Sequence, residues 1–197
     1  MNNFDFVAPF YDSLARLIFG DALERSAIHF LDEIGETANV LIVGGGTGKI
    51  LTSLPKCDQT TYLEKSSKMI ARAKRKAPNG AVRFVEMDFL DFETTTRYDF
   101  VICPFFLDCF DDVGLAKILE RIHQLLRNNG RLIVTDFQSK PESTLMKSMH
   151  YFFRAFSSLE SKKLNDIHQF ITQSEFQTEK EEFFYKNMIF SRLYRNL

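Results

Sequence analysis

The chain of 197 residues contains no tryptophan, few cysteines and no apolar run long enough to span a membrane. The cysteines are odd in number and lack C-x-x-C spacing, which argues against a disulfide framework and a zinc site; they are Cys57, Cys103 and Cys109. We therefore expect no metal site and a reducing, cytoplasmic location. The opening MNNFDFVAPF lacks the basic and apolar regions of a signal peptide, so none is expected. The near-neutral charge of the chain gives no support for binding to an anionic membrane, and we expect no membrane partner.

A large excess of charge of either sign is also absent. The sequence has 25 lysine and arginine residues against 26 aspartate and glutamate residues, so its net charge is −1. Nucleic-acid binding normally needs a basic surface, and we expect no such partner. The hydrophobic fraction of 45% and the length fit one globular domain with a small elaboration. Phenylalanine is abundant, at 21 residues.

Short apolar segments alternate with amphipathic ones along most of the chain. The segment from Gly114 repeats leucine and isoleucine at helical spacing, which predicts a helix ending at Asn129 and Gly130. The apolar segments predict strands at 40–43, 60–64, 82–86, 99–103 and 131–137. Continuous apolar strands between amphipathic helices favour an α/β fold: a doubly wound, mostly parallel sheet with helices on both faces.

The last segment breaks this alternation. FQTEKEEFFYKNMIFSRLYRN contains two β-rich runs separated by Lys186 and Asn187, with no room for a crossover helix. It predicts a C-terminal hairpin, which gives a seven-stranded sheet with one antiparallel strand near an edge. We divide the single expected domain into an N-terminal helical segment (1–37), a core (38–138), a helical lid insertion (139–174) and the hairpin (175–197).

The cluster GGGTG, from Gly44 to Gly48, directly follows the first predicted strand. A phosphate-binding P-loop needs one more residue before its Gly-Lys pair, and a Ser or Thr where this chain has Ile50. A dinucleotide-binding loop needs a glycine at the position of Lys49. The remaining pattern, G-x-G-x-G, brings the backbone close to a ligand without a pyrophosphate. A glycine-rich turn that binds nothing stays the alternative.

Two carboxylates follow the next two predicted strands. Glu64 ends the second strand, where an acid can accept hydrogen bonds from both ribose hydroxyls of a nucleoside. Asp88 follows the third strand, where a carboxylate can accept from an adenine amino group while Met87 and Phe89 contact the ring. Singly, these acids are equally well explained as helix-start and turn residues. Because the carboxyl ends of parallel strands share one edge, together with the glycine loop they predict a nucleoside site.

These motifs give the chain a resemblance to the class I S-adenosylmethionine-dependent methyltransferases, over roughly residues 38 to 137 and the final hairpin. VLIVGGGTG is similar to the first motif of that family, YDFVICPFF to the fourth, and LLRNNGRLIVTDF to its fifth strand. The family's sheet has a reversed strand next to its edge. The N-terminal FDFVAPFYDSL further resembles the ubiquinone/menaquinone methyltransferase branch, whose Tyr-Asp segment closes over the cofactor.

The resemblance implies S-adenosyl-L-methionine as the cofactor. It implies cofactor contacts from the residues at the matching motif positions, which are Gly44, Gly45, Gly46, Gly48, Glu64, Lys65, Met87, Asp88, Phe89, Cys103, Pro104 and Tyr11.

The chain departs from the family at two positions. The family usually has an acid two residues before the first glycine, which helps to hold the loop, and this chain has Ile42. We expect Ile42→Asp to raise cofactor affinity unless Ile42 is packed in the core, where a charge would destabilise the fold. The fourth motif reads Cys-Pro-Phe-Phe, which argues against the nucleic-acid and protein N-methylation that an Asn/Asp-Pro-Pro-aromatic run serves.

Methyl transfer depends mainly on alignment, and a base is needed only where the acceptor must lose a proton. The sequence offers single candidates for that base and no constellation: His150, Asp108, Tyr11 and Asp136. Aromatic residues near the fourth strand and on the lid indicate an apolar acceptor pocket, with Phe105, Phe106 and Phe153 as its lining. The alternative is that these rings are core.

We therefore predict methyl transfer to an oxygen or carbon of a small, largely apolar or aromatic acceptor by a monomer or homodimer. Two other functions remain open. One is a protein that binds S-adenosylmethionine without transferring its methyl group, which Ile42 and the missing base allow. The other is a nicotinamide-dependent oxidoreductase, against which the missing third glycine and the terminal hairpin both count.

Overall fold

A computed structural model describes residues 18–77, 82–138 and 167–197. Seven strands form one sheet in the order β3-β2-β1-β4-β5-β7-β6. The strands are β1 (Asn39–Val43), β2 (Gln59–Glu64), β3 (Val82–Glu86), β4 (Tyr98–Pro104), β5 (Leu126–Phe137), β6 (Phe176–Phe184) and β7 (Ile189–Asn196). The helices are α1 (Ala22–Ile28), α2 (Ser67–Lys74), α3 (Asp112–Leu125) and α4 (Ile167–Gln173).

The direction of the strands confirms the predicted sheet. Strands β1 to β5 pair in parallel, whereas β7 runs antiparallel to both β5 and β6. The hairpin predicted around Lys186 and Asn187 is present, and both of these turn residues have a positive φ. It places the reversed strand β7 next to the edge, as the sequence predicted.

The central strand β1 is apolar along its length because both faces of the sheet are covered. Leu41 and Val43 pack in a cluster with the buried stripe of α3, whereas Val40 and Ile42 pack on the opposite face with Ala73 of α2. Helices on both faces are thereby confirmed. None of the helices in the described parts of the chain has the length and apolar character needed to cross a bilayer.

The predicted end of the long helix is wrong. Helix α3 ends at Leu125, and the backbone from Leu126 onward is extended as the start of β5. Leu126 fits the helical stripe in sequence, but it pairs with Tyr98 of β4. Asn129 has a φ of +60°, and it lies in a bulge of this ladder and not in a helix cap.

The start of α2 is fixed by a serine cap. Ser66 precedes the helix with an extended backbone, and its hydroxyl accepts a hydrogen bond of 3.2 Å from the amide of Met69. This cap satisfies one of the amides that have no partner within the helix. It also fixes the direction in which the chain leaves Glu64 at the end of β2.

We predict that Ile42→Asp destabilises the protein. Ile42 has no exposed surface and packs among apolar residues, so the substitution would bury a charge. We expect chemical denaturation to show a loss of more than about 3 kcal/mol in the free energy of unfolding. The control Ile42→Val should lose only about 0.5–1.5 kcal/mol. A stable Ile42→Asp protein with higher cofactor affinity would contradict this and support the simpler expectation from the family pattern.

Candidate cofactor and acceptor site

The predicted site residues meet at the carboxyl ends of the parallel strands. The glycine loop follows β1, Glu64 ends β2, and Met87 and Asp88 follow β3. Pro104 ends β4, which lies beside β1 on the side away from β2. The strand order therefore reverses between β1 and β4, and ligands of open α/β sheets bind at such a switch point.

The glycine loop has the left-handed backbone that its sequence requires. Gly44, Gly46 and Gly48 have φ values of +65°, +62° and +78°. A Cβ on Gly44 would lie 2.4 Å from the ring of Phe106, and one on Gly48 would lie 2.6 Å from the backbone of Ala73. A Cβ on Gly46 would meet no atom of the described chain within 4 Å. The loop is thus closely packed at both ends and open at Gly46, where a ligand can approach the backbone.

Glu64 holds the glycine loop in the structure. Its Oε2 accepts a hydrogen bond of 3.0 Å from the amide of Gly46, and its Oε1 accepts one of 2.9 Å from the amide of Ser66. Glu64 therefore supports the loop from the end of β2, and its contact with a ribose stays a prediction.

Asp88 and Lys65 come together at the ends of β3 and β2. The Lys65 ammonium donates to Asp88 Oδ2 at 2.7 Å, and the amide of Leu90 donates to Oδ1 at 3.1 Å. Burial alone would raise the pKa of Asp88, but these two hydrogen bonds and the Lys65 charge hold it below its ordinary value. Asp88 is therefore an ionised acceptor, as a contact with an adenine amino group requires.

The two apolar residues that flank Asp88 differ in exposure. Met87 is 39% exposed and lies on the surface beside Asp88. Phe89 is 2% exposed and packs in the core, with its ring 6.1 Å from that of Phe106. Met87 is thus the apolar side chain that can reach a ligand here. A contact between the Phe89 ring and the adenine stays a prediction, and the burial of Phe89 does not favour it.

Phe105 and Phe106 directly follow β4, and their rings pack in different places. Phe105 has a φ of +52°, a costly conformation for an aromatic residue. Its ring packs 5.3 Å from that of Phe137, in a cluster that includes Phe19 and Tyr185. Phe106 instead packs on the glycine loop. Of the three predicted acceptor contacts, two are described: Phe106 lies at the loop, whereas Phe105 packs in that separate cluster.

Cys103 and Pro104, the remaining predicted cofactor contacts on β4, lie beside β5. Cys103 is fully buried, and burial together with the charge of Asp136 raises the pKa of its thiol. Its side chain is therefore a neutral packing group. Pro104 is half-buried at the strand end, where it can border a ligand.

Two carboxyl groups form a pair below the turn that follows Phe106. Asp136 on β5 is fully buried and accepts hydrogen bonds from the amides of Leu107, Asp108 and Phe137. The half-buried Asp108 bonds to the Asp136 side chain, and burial raises its pKa to about 6. Burial and the neighbouring Asp108 also raise the pKa of Asp136. Each group therefore keeps its proton to a higher pH than an exposed aspartate does.

Sequence reasoning missed two residues that hold the glycine loop. The Tyr62 hydroxyl donates to the Gly46 carbonyl at 2.9 Å, and the Lys76 ammonium donates to the Thr47 carbonyl at 2.9 Å. Tyr62 reads as an ordinary strand residue and Lys76 as a solvated residue after a helix. Neither contact has a signal in the sequence, because both depend on how α2 and β2 pack beside the loop.

Three of the predicted site residues, Tyr11, His150 and Phe153, lie outside the described residues, as does the resemblance of the N-terminal segment to the quinone-methylating branch. Only the last residues of the predicted lid are described, and they form α4. Among the described residues, no three or more His, Cys, Asp or Glu side chains are grouped as a metal site would require.

Comparison with known proteins gives consistent results. Residues 40–130 match the family model described as a methyltransferase domain. Nodulation protein S of Azorhizobium caulinodans is 28% identical over 143 residues, which cover 70% of this chain and 67% of that protein.

Two solved structures have a similar fold. One is the N-methyltransferase NodS from Bradyrhizobium japonicum in complex with S-adenosyl-l-homocysteine, with a TM-score of 0.68, 15% identity and coverage of 88% of this chain and 83% of that one. The other is a chain in the complex between the Haloferax volcanii Trm112 methyltransferase activator and the putative methyltransferase. Its TM-score is 0.79, with 14% identity and coverage of 100% and 98%.

The strand order, the loop open at Gly46 and the domain match agree with an α/β methyltransferase fold. Residues 40–130 match a methyltransferase domain, and a solved structure with the same fold contains S-adenosyl-l-homocysteine, so the site fits S-adenosylmethionine as its cofactor, as the motifs implied. The nicotinamide-dependent alternative is set aside.

We predict that Glu64→Ala weakens cofactor binding, because it removes hydrogen bonds to the loop and the carboxylate expected to hold the ribose. Calorimetric titration with S-adenosylhomocysteine should show a loss of roughly 1.5–3 kcal/mol in binding free energy. Glu86→Ala is the control, since Glu86 is exposed and lies opposite Glu64 in register on β3. Normal binding by Glu64→Ala would show that the ribose assignment is wrong.

We also predict that Gly46→Val abolishes cofactor binding, because a side chain would fill the open space above the loop. Gly20→Val is a matched control. Gly20 has a φ of +61° and, like Gly46, no neighbour within 4 Å of an added Cβ among the described residues, so both variants have a similar backbone cost. Calorimetry should show no binding for Gly46→Val and wild-type affinity for Gly20→Val. If Gly46→Val is folded and binds normally, the ligand does not lie against this loop.

Proposed function

We propose that the enzyme transfers the methyl group to an oxygen or carbon of a small, largely apolar or aromatic acceptor. The observation that supports this most is the position of Phe106. Its half-buried ring packs against Gly44, and its neighbours are the rings of Phe89 and Phe110, at 6.1 and 5.0 Å. A group of aromatic rings therefore lies beside the glycine loop. We call it the aromatic wall, and a lining of this kind favours flat, apolar ligands.

When bound, the cofactor supplies a methyl group activated on a sulfonium, so the main task of the chain is alignment. The glycine loop, with Glu64 and Asp88, would hold the nucleoside end, and Phe106 would set the plane of the acceptor. A flat acceptor stacked on Phe106 would present its edge toward the switch point between β1 and β4. Alignment of this kind needs few polar contacts with the acceptor.

Asp108 is the best placed of the candidate bases for an acceptor that must lose a proton. It lies two residues after Phe106 and belongs to the pair with Asp136. A carboxyl group with a pKa of about 6 is ionised at neutral pH and still basic enough to take a proton. We assign it the role of general base for a hydroxyl acceptor. For a carbon acceptor, Asp108 would take the proton from the carbon that is methylated.

A second candidate function is methyl transfer to a nitrogen of a small molecule. It is favoured by the similarity to nodulation protein S and by the fold shared with a solved N-methyltransferase. The same Asp108 could take the proton of an ammonium group. The aromatic wall gives no preference for an amine, so we place this function second.

We further propose that the acceptor is a small molecule, and that the protein acts in the cytoplasm as a monomer or homodimer. The near-neutral net charge offers no electrostatic support for a nucleic acid. A protein that binds the cofactor without transferring its methyl group remains the alternative outcome of the test.

The test is an acceptor screen with radiolabelled S-adenosylmethionine. Its panel should hold phenols, compounds with acidic C–H groups, aliphatic and aromatic amines, bulk RNA and DNA, and unfolded protein. We expect label in the phenols or carbon acids. Label only in amines would select the second function. Label only in RNA, DNA or protein would overturn the proposal, and cofactor binding without any labelling would favour the non-enzymatic alternative.

Replacement of Phe106 separates a pocket residue from a core residue. We predict that Phe106→Ala raises the acceptor KM at least about tenfold with a loss of stability below about 3 kcal/mol. The control Phe176→Ala removes a ring that is 2% exposed at the start of β6 and should cost about 3–5 kcal/mol while leaving the acceptor KM unchanged. If Phe106→Ala costs as much stability as the control and leaves the acceptor KM unchanged, Phe106 is core.

The Asp108 assignment predicts a pH dependence. Wild-type turnover should rise with pH through about 6, as the group loses its proton. Asp108→Asn should remove this rise and lower turnover about 10²- to 10⁴-fold. The control Asp112→Asn, at an exposed position in the first turn of α3, should keep the wild-type profile.

The free energy of unfolding should fall as the pH rises, whereas turnover should increase. In the unfolded chain an aspartate loses its proton near pH 4, whereas the folded Asp108 keeps it to about 6. The pair therefore favours folding at acidic pH and loses this contribution as the pH rises through about 6. The melting temperature of Asp108→Asn relative to wild type should rise between pH 4 and pH 7. Parallel pH dependences of the two melting temperatures would show that folding does not raise the pKa of Asp108.

A further inference from the structure

We infer that Tyr62 is a positioning residue that holds the glycine loop in its cofactor-binding conformation, in place of the acid that the family has at the position of Ile42. The inference rests on the cofactor assignment and not on the identity of the acceptor. Tyr62 lies in the middle of β2, directly opposite Ile42 in the parallel ladder. Both side chains are fully buried in the same apolar cluster.

The Tyr62 hydroxyl reaches from this cluster to the underside of the loop. It donates to the Gly46 carbonyl at 2.9 Å, while Glu64, two residues along β2, accepts from the Gly46 amide at 3.0 Å. Both polar backbone groups of Gly46 are therefore held by β2. Burial raises the pKa of Tyr62, so its hydroxyl keeps its proton and stays a donor.

The second glycine of the loop fits the same arrangement. Gly45 does not have a positive φ, so its backbone would accept an alanine without strain. A Cβ there would nevertheless lie 2.4 Å from two ring carbons of Tyr62 and 2.5 Å from its hydroxyl. The ring thus fills the space of a side chain at Gly45, which explains a glycine at a position that the G-x-G-x-G pattern leaves open.

Ile42, Gly45 and Tyr62 therefore form one matched set. The apolar side chain at 42 cannot form a hydrogen bond to the loop, and the tyrosine supplies a donor to the loop from the neighbouring strand. Its ring needs the space that a glycine at 45 provides. A loop that is already fixed before the cofactor arrives binds more tightly, because less of the protein must change conformation on binding.

The alternative is that Tyr62 only fills the core. Its ring also packs 5.2 Å from that of Phe84, so some structural role is certain. Tyr98 provides the comparison: it too is a fully buried tyrosine, and its hydroxyl bonds to Thr61 Oγ1 at 3.3 Å, away from the loop. A core role predicts the same result for both tyrosines, whereas a positioning role predicts different effects on the cofactor.

The first test compares Tyr62→Phe with Tyr98→Phe by calorimetric titration with S-adenosylhomocysteine, which needs no acceptor. Thermal melts confirm that both variants are folded. We expect the Kd of Tyr62→Phe to rise about 5- to 10-fold, as for the loss of one buried hydrogen bond, and that of Tyr98→Phe to stay within about twofold of wild type. Equal effects of the two substitutions on the Kd would overturn the inference.

The second test is a double-mutant cycle between Gly45→Ala and Tyr62→Leu. In the wild-type background Gly45→Ala should weaken binding more than about 10-fold, because the new methyl group meets the ring. In the Tyr62→Leu background the same substitution should have little effect. An equal loss in both backgrounds would show that Gly45 is needed for the ligand and not for Tyr62.

With an acceptor in hand, the KM for S-adenosylmethionine should rise in Tyr62→Phe while kcat and the acceptor KM stay unchanged. A fall in kcat at unchanged cofactor KM would contradict the positioning role. If no acceptor is found, the binding measurements still decide the role of Tyr62.

Discussion

The hydrogen bond between the Glu64 carboxylate and the Gly46 amide joins the two strands on which the cofactor site depends. It connects the end of β2 to the middle of the loop after β1. Gly46 is the one glycine of that loop where a side chain would meet open space among the described residues, so this bond fixes the backbone at the position where we propose that the cofactor binds. Ser66, held by the other oxygen of Glu64, starts α2 and supports the same edge.

The remaining contacts of the loop come from both sides of the sheet. Phe106 closes it at Gly44 from the β4 side, and Ala73 of α2 packs against Gly48. The side chain that supports Gly46 from below is Tyr62, through a neutral hydroxyl in an apolar cluster. The family pattern would place a carboxylate in this region. Ile42 is buried and apolar at the family's position for this acid, and we infer that Tyr62 supports the loop in its place.

Much of this fold is predictable because its signals are local. The continuous apolar residues of β1, the Ser66 cap and the Lys186–Asn187 turn each specify their own element within a few residues. The end of α3 is not predictable in this way, since Leu126 continues the helical stripe and only its pairing with Tyr98 makes it extended. The residues of the site also fall into a part that is predictable from local sequence and a part that is not. Its glycines and acids follow from motifs, whereas the Asp108–Asp136 pair and the Tyr62 contact join residues that are far apart in sequence.

Ligand-dependent stabilisation of the fold tests whether this loop binds a sulfur nucleoside. Denaturation of the protein should be followed with S-adenosylmethionine, S-adenosylhomocysteine, NAD and ATP, each at a range of concentrations. A ligand at 100 times its Kd should stabilise the fold by about 2.7 kcal/mol. We expect this from both sulfur nucleosides and from neither NAD nor ATP. Clear stabilisation by NAD, with none from either sulfur nucleoside, would contradict the account.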